Sequence, residues 1–188
     1  MGCSPSNKPQ TFEVGKQTFL LDGKPFVIKA AEMHYTRIPA EYWEHRIQMC
    51  KALGMNTICI YAFWNIHEQR PGEFDFKGQN DIAEFCRLAQ KNGMYIMLRP
   101  GPYVCSEWEM GGLPWWLLKK KDIQLRTNDP YFLERTKLFM NEIGKQLADL
   151  QAPRGGNIIM VQVENEYGGY AVNKEYIANI RDLSLIHI

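Results

Sequence analysis

No run in the 188 residues approaches the roughly 18 consecutive apolar side chains that a membrane-crossing helix needs. Concentrated basic charge is equally scarce. Lys and Arg number 22 against 21 Asp and Glu, and the one basic run is Lys119-Lys120-Lys121. Binding a phosphate backbone takes a dense cationic face, so nucleic acid is excluded as a partner. The lysine triplet reads as a solvated loop or helix end.

Cysteine is present in an odd number, five, which gives no disulfide framework. Cys50, Cys59 and Cys86 lie in apolar periodic segments and read as small core side chains. A zinc-protease helix is missing too. "HEQRP", from His67, has no second histidine and follows a strand rather than lying on a helix. Glu32, His34, His67 and Glu68 are therefore not assigned to a metal, and His67 reads as a hydrogen-bonding group at the mouth of the fold.

What is present is globular: 45% of the residues are hydrophobic and 23% charged. The start, "MGCSPSNKPQ", resembles the tail of a bacterial lipoprotein signal, with Cys3 as the lipidated residue. The alternative is a plain disordered leader over residues 1–11. The lipid reading puts the protein in the periplasm or outer membrane, with Cys3 its one membrane contact; otherwise it is secreted.

From Phe12 the pattern predicts two short strands about Asp22-Gly23, and then strand and helix alternate. "FVIKAAEMHY", "NTICIYAFW", "MYIMLRPG" and "NIIMVQVENEYGG" read as strands. The helix after the first opens at Pro39 and closes at Gly54; the next is capped by Asn80 and ends before Gly93. Another begins at Asp129-Pro130, with apolar positions 132, 133, 139, 140, 143, 147 and 150 on one face, and a last one near Asn173. Short, nearly all-apolar strands predict parallel strands buried on both faces.

The four units fit half a (β/α)8 barrel or a short doubly wound sheet. A doubly wound nucleotide binder wants a Gly-rich first strand-helix link, and "HYTRIPAEY" has no glycine. Polar residues also gather at each strand's carboxyl end, where a barrel builds its site. The fold class is α/β, a TIM barrel over about its first four units, spanning residues 12–188.

Two carboxylates, Glu164 and Glu166, flank Asn165 at the end of the fourth strand. In an extended segment they share a side, and one of two adjacent carboxyls can stay protonated as a general acid. Such paired carboxylates serve glycoside hydrolysis; the alternative is ion pairing with groups such as Arg37 or Arg99. The loop "RPGPYVCSEWEMGGLPWWLL" sets Trp108, Trp115 and Trp116 beside Glu107 and Glu109, a composition suited to a sugar's apolar faces and hydroxyl rim. Trp116 reads instead as a core anchor, and Gly111-Gly112 as a tight chain path. Cys105 has no nucleophile signature and reads as packing by the pocket.

"YAFWNIHEQRPGEFDF", "LRPGPYVCSEWEMGGLPWWLL" and "GGNIIMVQVENEYGGY" together resemble glycoside hydrolase family 35, the retaining β-galactosidases. The resemblance implies a (β/α)8 barrel, a β-galactoside oligosaccharide or glycan as substrate, and a galactosyl-enzyme intermediate. It implies Glu166 as proton donor, Asn165 near the sugar 2-hydroxyl, and Tyr61, Cys105, Ser106 and Glu107 as galactose contacts. Ser106 acts there through its backbone more than its side chain, and Glu164 in a supporting role. No cofactor is implied, because proton transfer and a carboxylate nucleophile suffice.

The resemblance places the nucleophile, a glutamate ending a seventh strand, beyond Ile188. The sequence therefore reads as a truncated chain with non-native residues 184–188, unstable alone and without galactosidase activity. Alternative readings are a related exo-glycosidase such as an exo-β-glucosaminidase, and a non-catalytic galactoside-binding half-barrel that dimerises.

Overall fold

The computed structural model describes residues 7–187. Cys3 and Ile188, with the expectations attached to them, lie outside the described residues. The chain forms two compact units. The first comprises residues up to Ile60, Asp81–Leu98 and Leu147–Val161; the second comprises Tyr61–Asn80, Arg99–Gln146 and from Gln162 onward.

In the first unit, β1 (Phe12–Val14), β2 (Phe19–Leu21) and β3 (Lys24–Phe26) form an antiparallel sheet, one strand more than the sequence pattern predicts. β2 and β3 turn at Asp22-Gly23, both with positive φ (50° and 73°), the twist-matched two-residue hairpin expected there. Asp22 is further fixed by Gln10 Nε2 and the Thr11 N–H, each donating at 2.9 Å, and these bonds hold its carboxyl below the ordinary range. Leu21, Phe26 and Tyr95 form a buried cluster beneath this sheet.

The parallel sheet runs β4 (Ala30–Glu32), β5 (Thr57–Tyr61), β6 (Tyr95–Arg99) and β7 (Ile158–Val161), in that spatial order. Ala30 pairs with Thr57, and Ile96 with Ile158. β5 is buried throughout, as its nearly all-apolar sequence predicts. β4 and β7 keep partly exposed side chains, against that expectation. Tyr61 and Arg99, the last residues of β5 and β6, belong to the second unit.

α1 (Trp43–Ala52) follows a short 3₁₀ turn and buries Trp43 and Ile47. The Trp43 indole N–H is shared by the carbonyls of Tyr35 and Ile38, and its ring meets Phe85 edge-on at 5.5 Å. Burial of one such side chain contributes about 1.5–3 kcal/mol. After the single turn α2 (Trp64–His67) comes α3 (Ile82–Lys91), whose cap is Asp81 and not Asn80. Asp81 accepts the Glu84 N–H at 2.8 Å, and a carboxylate answers the helix dipole better than an amide. The Asn80 amide is instead donated to Asp75 Oδ2 at 2.9 Å. Gly54 and Gly93, at φ 85° and 74°, follow α1 and α3 as predicted.

The second unit is built on α4 (Pro130–Leu147) up to Gln146; the helix begins after the cap Asp129 and buries Phe132, Phe139, Met140 and Ile143 there. Trp64 stacks on Phe139 at 5.2 Å and meets Trp116 edge-on at 6.0 Å, so Trp116 is the core anchor expected. The single turn α5 (Tyr167–Tyr170) and α6 (Lys174–His187) complete the unit, α6 capped by Asn173.

Candidate active site

Tyr61, Cys105, Ser106, Glu107, Asn165 and Glu166 all belong to the second unit. Tyr61 is buried in a cluster with Phe63 and Val104. Arg99 donates to its hydroxyl, and the guanidinium carbon lies 4.9 Å from the Tyr61 ring centre. Arg37 donates to His34 Nδ1 at 2.7 Å. The ion pair that the alternative reading supposed does form at Glu164, with Arg126 as its partner.

The Cys105–Glu107 turn is left-handed at three consecutive non-glycine residues, with φ of 59°, 56° and 45°. Each such residue is disfavoured by about 1–2 kcal/mol, so the surroundings must hold the turn. The Trp108 N–H closes it on the Cys105 carbonyl at 3.0 Å, and the Val104 N–H bonds the Gly111 carbonyl at 2.8 Å. Ser106 is buried, and its hydroxyl donates to the Val104 carbonyl at 3.0 Å. A Cβ on Gly111 would stand 2.0 Å from the Tyr103 ring, so the tight path expected here requires glycine. Cys105 is a free, half-buried thiol, as is Cys50, while Cys59 and Cys86 are buried core thiols.

Beside this turn lies a groove lined by Asn65, Gln69, Arg70, Glu107, Trp108 and Trp115. The Trp108 indole N–H donates to Asn65 Oδ1 at 3.0 Å. Trp115 is 54% exposed, with the Lys119 ammonium 4.7 Å from its ring centre.

The Glu164–Glu166 segment overturns one expectation. β7 stops at Val161, and Glu164 and Glu166 are left-handed, at φ 59° and 49°, not extended. Alternation no longer decides where their side chains go, and their environments differ. Glu164 is 1% exposed. Its Oε1 accepts from Arg126 Nε at 3.0 Å and the Tyr176 hydroxyl at 2.9 Å. Its Oε2 accepts from Arg126 Nη2 at 2.7 Å and the Asn165 N–H at 2.8 Å. Burial, and then the Glu164 charge, push the Tyr176 hydroxyl far above the ordinary range, which keeps it a donor.

Glu166 is exposed and heads α5, its carbonyl accepting the Gly169 N–H at 3.0 Å. Asn165 is 7% exposed, and its Oδ1 accepts from Gln162 Nε2 at 3.2 Å. The two carboxylates therefore sit in unlike environments. One is consumed by four donors in an interior ion pair, and the other is open to a ligand.

Arg126, the centre of this arrangement, was missed from sequence. Its guanidinium lies 3.9 Å from the Tyr103 ring centre and 4.2 Å from that of Tyr170, and its Nη2 also donates to the Asn165 carbonyl at 2.8 Å. Its one local signal is position, an arginine shortly before the Asp129-Pro130 helix start. His67 and Glu68 correct the reading of polar strand-ends. His67 is fully buried, donates from Nδ1 to the Asp75 carbonyl at 2.8 Å, and stacks on Phe76 at 4.4 Å. Glu68 is fully buried and pairs with Arg135.

The sequence profile of glycosyl hydrolases family 35 matches residues 18–187. The chain belongs to family 35. It is 45% identical over 179 residues to a β-galactosidase of Xanthomonas manihotis, which covers 95% of this chain and 30% of that protein. It is 44% identical over 171 residues to a β-galactosidase of Mus musculus, covering 89% and 26%. The chain thus spans between a quarter and a third of the length of these family 35 relatives. Among solved structures it is similar to the exo-β-1,4-mannosidase Op5Man5 of Opitutaceae bacterium strain TAV5, with a TM-score of 0.65 at 19% identity over 88% of this chain and 30% of that one. At that identity the likeness speaks to fold alone, and the fold is the TIM-barrel architecture predicted. Arg126, Glu164 and Tyr176 all lie inside the span matched to family 35.

Proposed function

We propose that these residues supply the proton-donor side of a retaining β-galactosidase site, acting on terminal β-galactosyl groups of an oligosaccharide or glycan. The observation that carries the reading is the separation of the two neighbouring carboxylates. Glu164 is saturated inside the protein, while Glu166, one residue past a buried amide, is exposed at the head of α5. A carboxyl with no donor bound among the described residues can give its proton to a leaving oxygen and later take one from water.

In this reading Asn165 bonds the sugar beside the reacting carbon, its Nδ2 being without an acceptor among the described residues. Tyr61 and the Cys105–Glu107 turn bond the remaining galactose hydroxyls. The strained turn suits that work, because it aims successive backbone and side-chain groups from one short segment. Covalent retention needs a second carboxyl about 5–5.5 Å from the first. The reading assigns that nucleophile to a later strand of the same barrel.

The test is Glu166→Gln in the protein that contains this sequence, assayed on alkyl β-galactosides. Loss of the general acid lowers kcat/KM by about 10²–10⁴. Undiminished turnover would remove Glu166 from the chemistry, and a wild-type protein that cleaves no β-galactoside would end the reading altogether.

A further inference from the structure

Among the described residues no side-chain bond fixes the direction of Glu166, which leaves that to its backbone. That backbone is left-handed at 164 and again at 166, conformations that ordinary side chains resist. Something must hold them, and the hydrogen bonds on either side converge on one residue.

Arg126 grips the segment at three points. Its Nε and Nη2 take both oxygens of Glu164, at 3.0 and 2.7 Å, and Nη2 also takes the Asn165 carbonyl at 2.8 Å. Past Glu166, the Tyr167 hydroxyl donates to the Arg126 backbone carbonyl at 3.1 Å. Residues before and after Glu166 are thus tied to the same arginine. Arg126 cannot yield easily. It is itself left-handed, at φ 57°, and its guanidinium is enclosed by the rings of Tyr103, Tyr170 and Tyr167 at 3.9, 4.2 and 5.5 Å.

We infer that Arg126 is a positioning residue for the Glu166 proton donor, setting the carboxyl's direction through the backbone on both of its flanks. The inference rests on the galactosidase reading for its chemistry, but not for its geometry. A planar fork meets two carboxylate oxygens and a carbonyl at once; a lysine ammonium at the same place is a single point and cannot.

The experiment uses two leaving groups. A methyl β-galactoside needs its leaving oxygen protonated, whereas a 2,4-dinitrophenyl β-galactoside releases the stable dinitrophenolate anion without it. Because removing one partner of a buried ion pair can unfold the protein, the main variant is the double substitution Arg126→Met with Glu164→Leu, which replaces both charges by apolar groups of similar size. Arg126→Lys is the second variant. In each, kcat/KM for the methyl galactoside is expected to fall by about 100-fold and that for the dinitrophenyl galactoside by less than about tenfold. Equal losses on both substrates, or none on either in a variant as stable as wild type, would overturn the inference.

Should the wild-type protein cleave neither substrate, the galactosidase reading fails and hydrogen exchange decides the positioning role. The Gly169 amide, bonded to the Glu166 carbonyl, is then expected to exchange at least about tenfold faster in Arg126→Lys. Unchanged exchange there would refute the inference.

Discussion

Trp64 and Glu68 are joined side chain to side chain, the indole N–H donating to Glu68 Oε2 at 2.6 Å. The bond is one of several that converge on this fully buried carboxylate. Its Oε1 accepts the Gly72 N–H at 2.7 Å and pairs with Arg135, while its main-chain carbonyl accepts the Trp116 indole N–H at 2.9 Å. Glu68 therefore ties α2, α4 and the Trp116 turn together from a fully buried position.

Glu68→Leu leaves the Arg135 guanidinium and the buried Trp64 indole N–H without their acceptor. Breaking a buried pair from one side is expected to cost about 3–5 kcal/mol. Urea unfolding of the variant measures it. A loss under about 1 kcal/mol would mean that water reaches Arg135 and the pair is not buried in solution.

His67 makes stability depend on pH. Burial lowers its pKa from 6.5 to about 4, outweighing the bond to the Asp75 carbonyl and the Asp75 charge. The unfolded chain therefore binds a proton between those values that the folded chain refuses, and stability falls as the pH drops from 6.5 to about 4. A shift of that size corresponds to about 3 kcal/mol. His67→Phe, which keeps the stack on Phe76, is expected to flatten the profile between pH 7 and pH 4 by about that amount. The check is chemical unfolding of both proteins across the range, and an unchanged slope assigns the pH dependence to other groups.

Gly111→Ala would put a methyl group 2.0 Å from the Tyr103 ring, at a backbone φ of 59°. Strain and overpacking together are expected to cost about 2–4 kcal/mol. Gly168→Ala is the control, since nothing lies within 4 Å of its added carbon, and α5 should tolerate it. Equal midpoints for the two variants in thermal unfolding would show that the Tyr103 ring moves aside freely.

What was legible in the sequence was local. Asp22-Gly23 announces a hairpin because both residues tolerate positive φ, and the α4 face follows from intervals of three and four. The Asp81 cap was misplaced by one residue because Asn80 and Asp81 are both good caps, and the choice was made by Asp75 taking the Asn80 amide. The left-handed turn at Cys105–Glu107 carries no glycine to announce it, and the same is true at Glu164 and Glu166. The Arg126–Glu164 pair joins residues 38 apart in the chain, and no periodicity reports that contact. Spacing indicated where carboxylates gather, and it took the family resemblance to set Glu166 apart from Glu164.

Of the five tryptophans, Trp43, Trp64 and Trp116 are sealed in cores and Trp108 is half-buried, which leaves Trp115 as the indole that faces water. It stands on the wall of the groove that Glu107 also lines. The protein thus carries its own optical reporter. A collisional quencher in the solvent dims Trp115 before the others, and a molecule settling into the groove shields it, so occupancy there registers as light with no label attached.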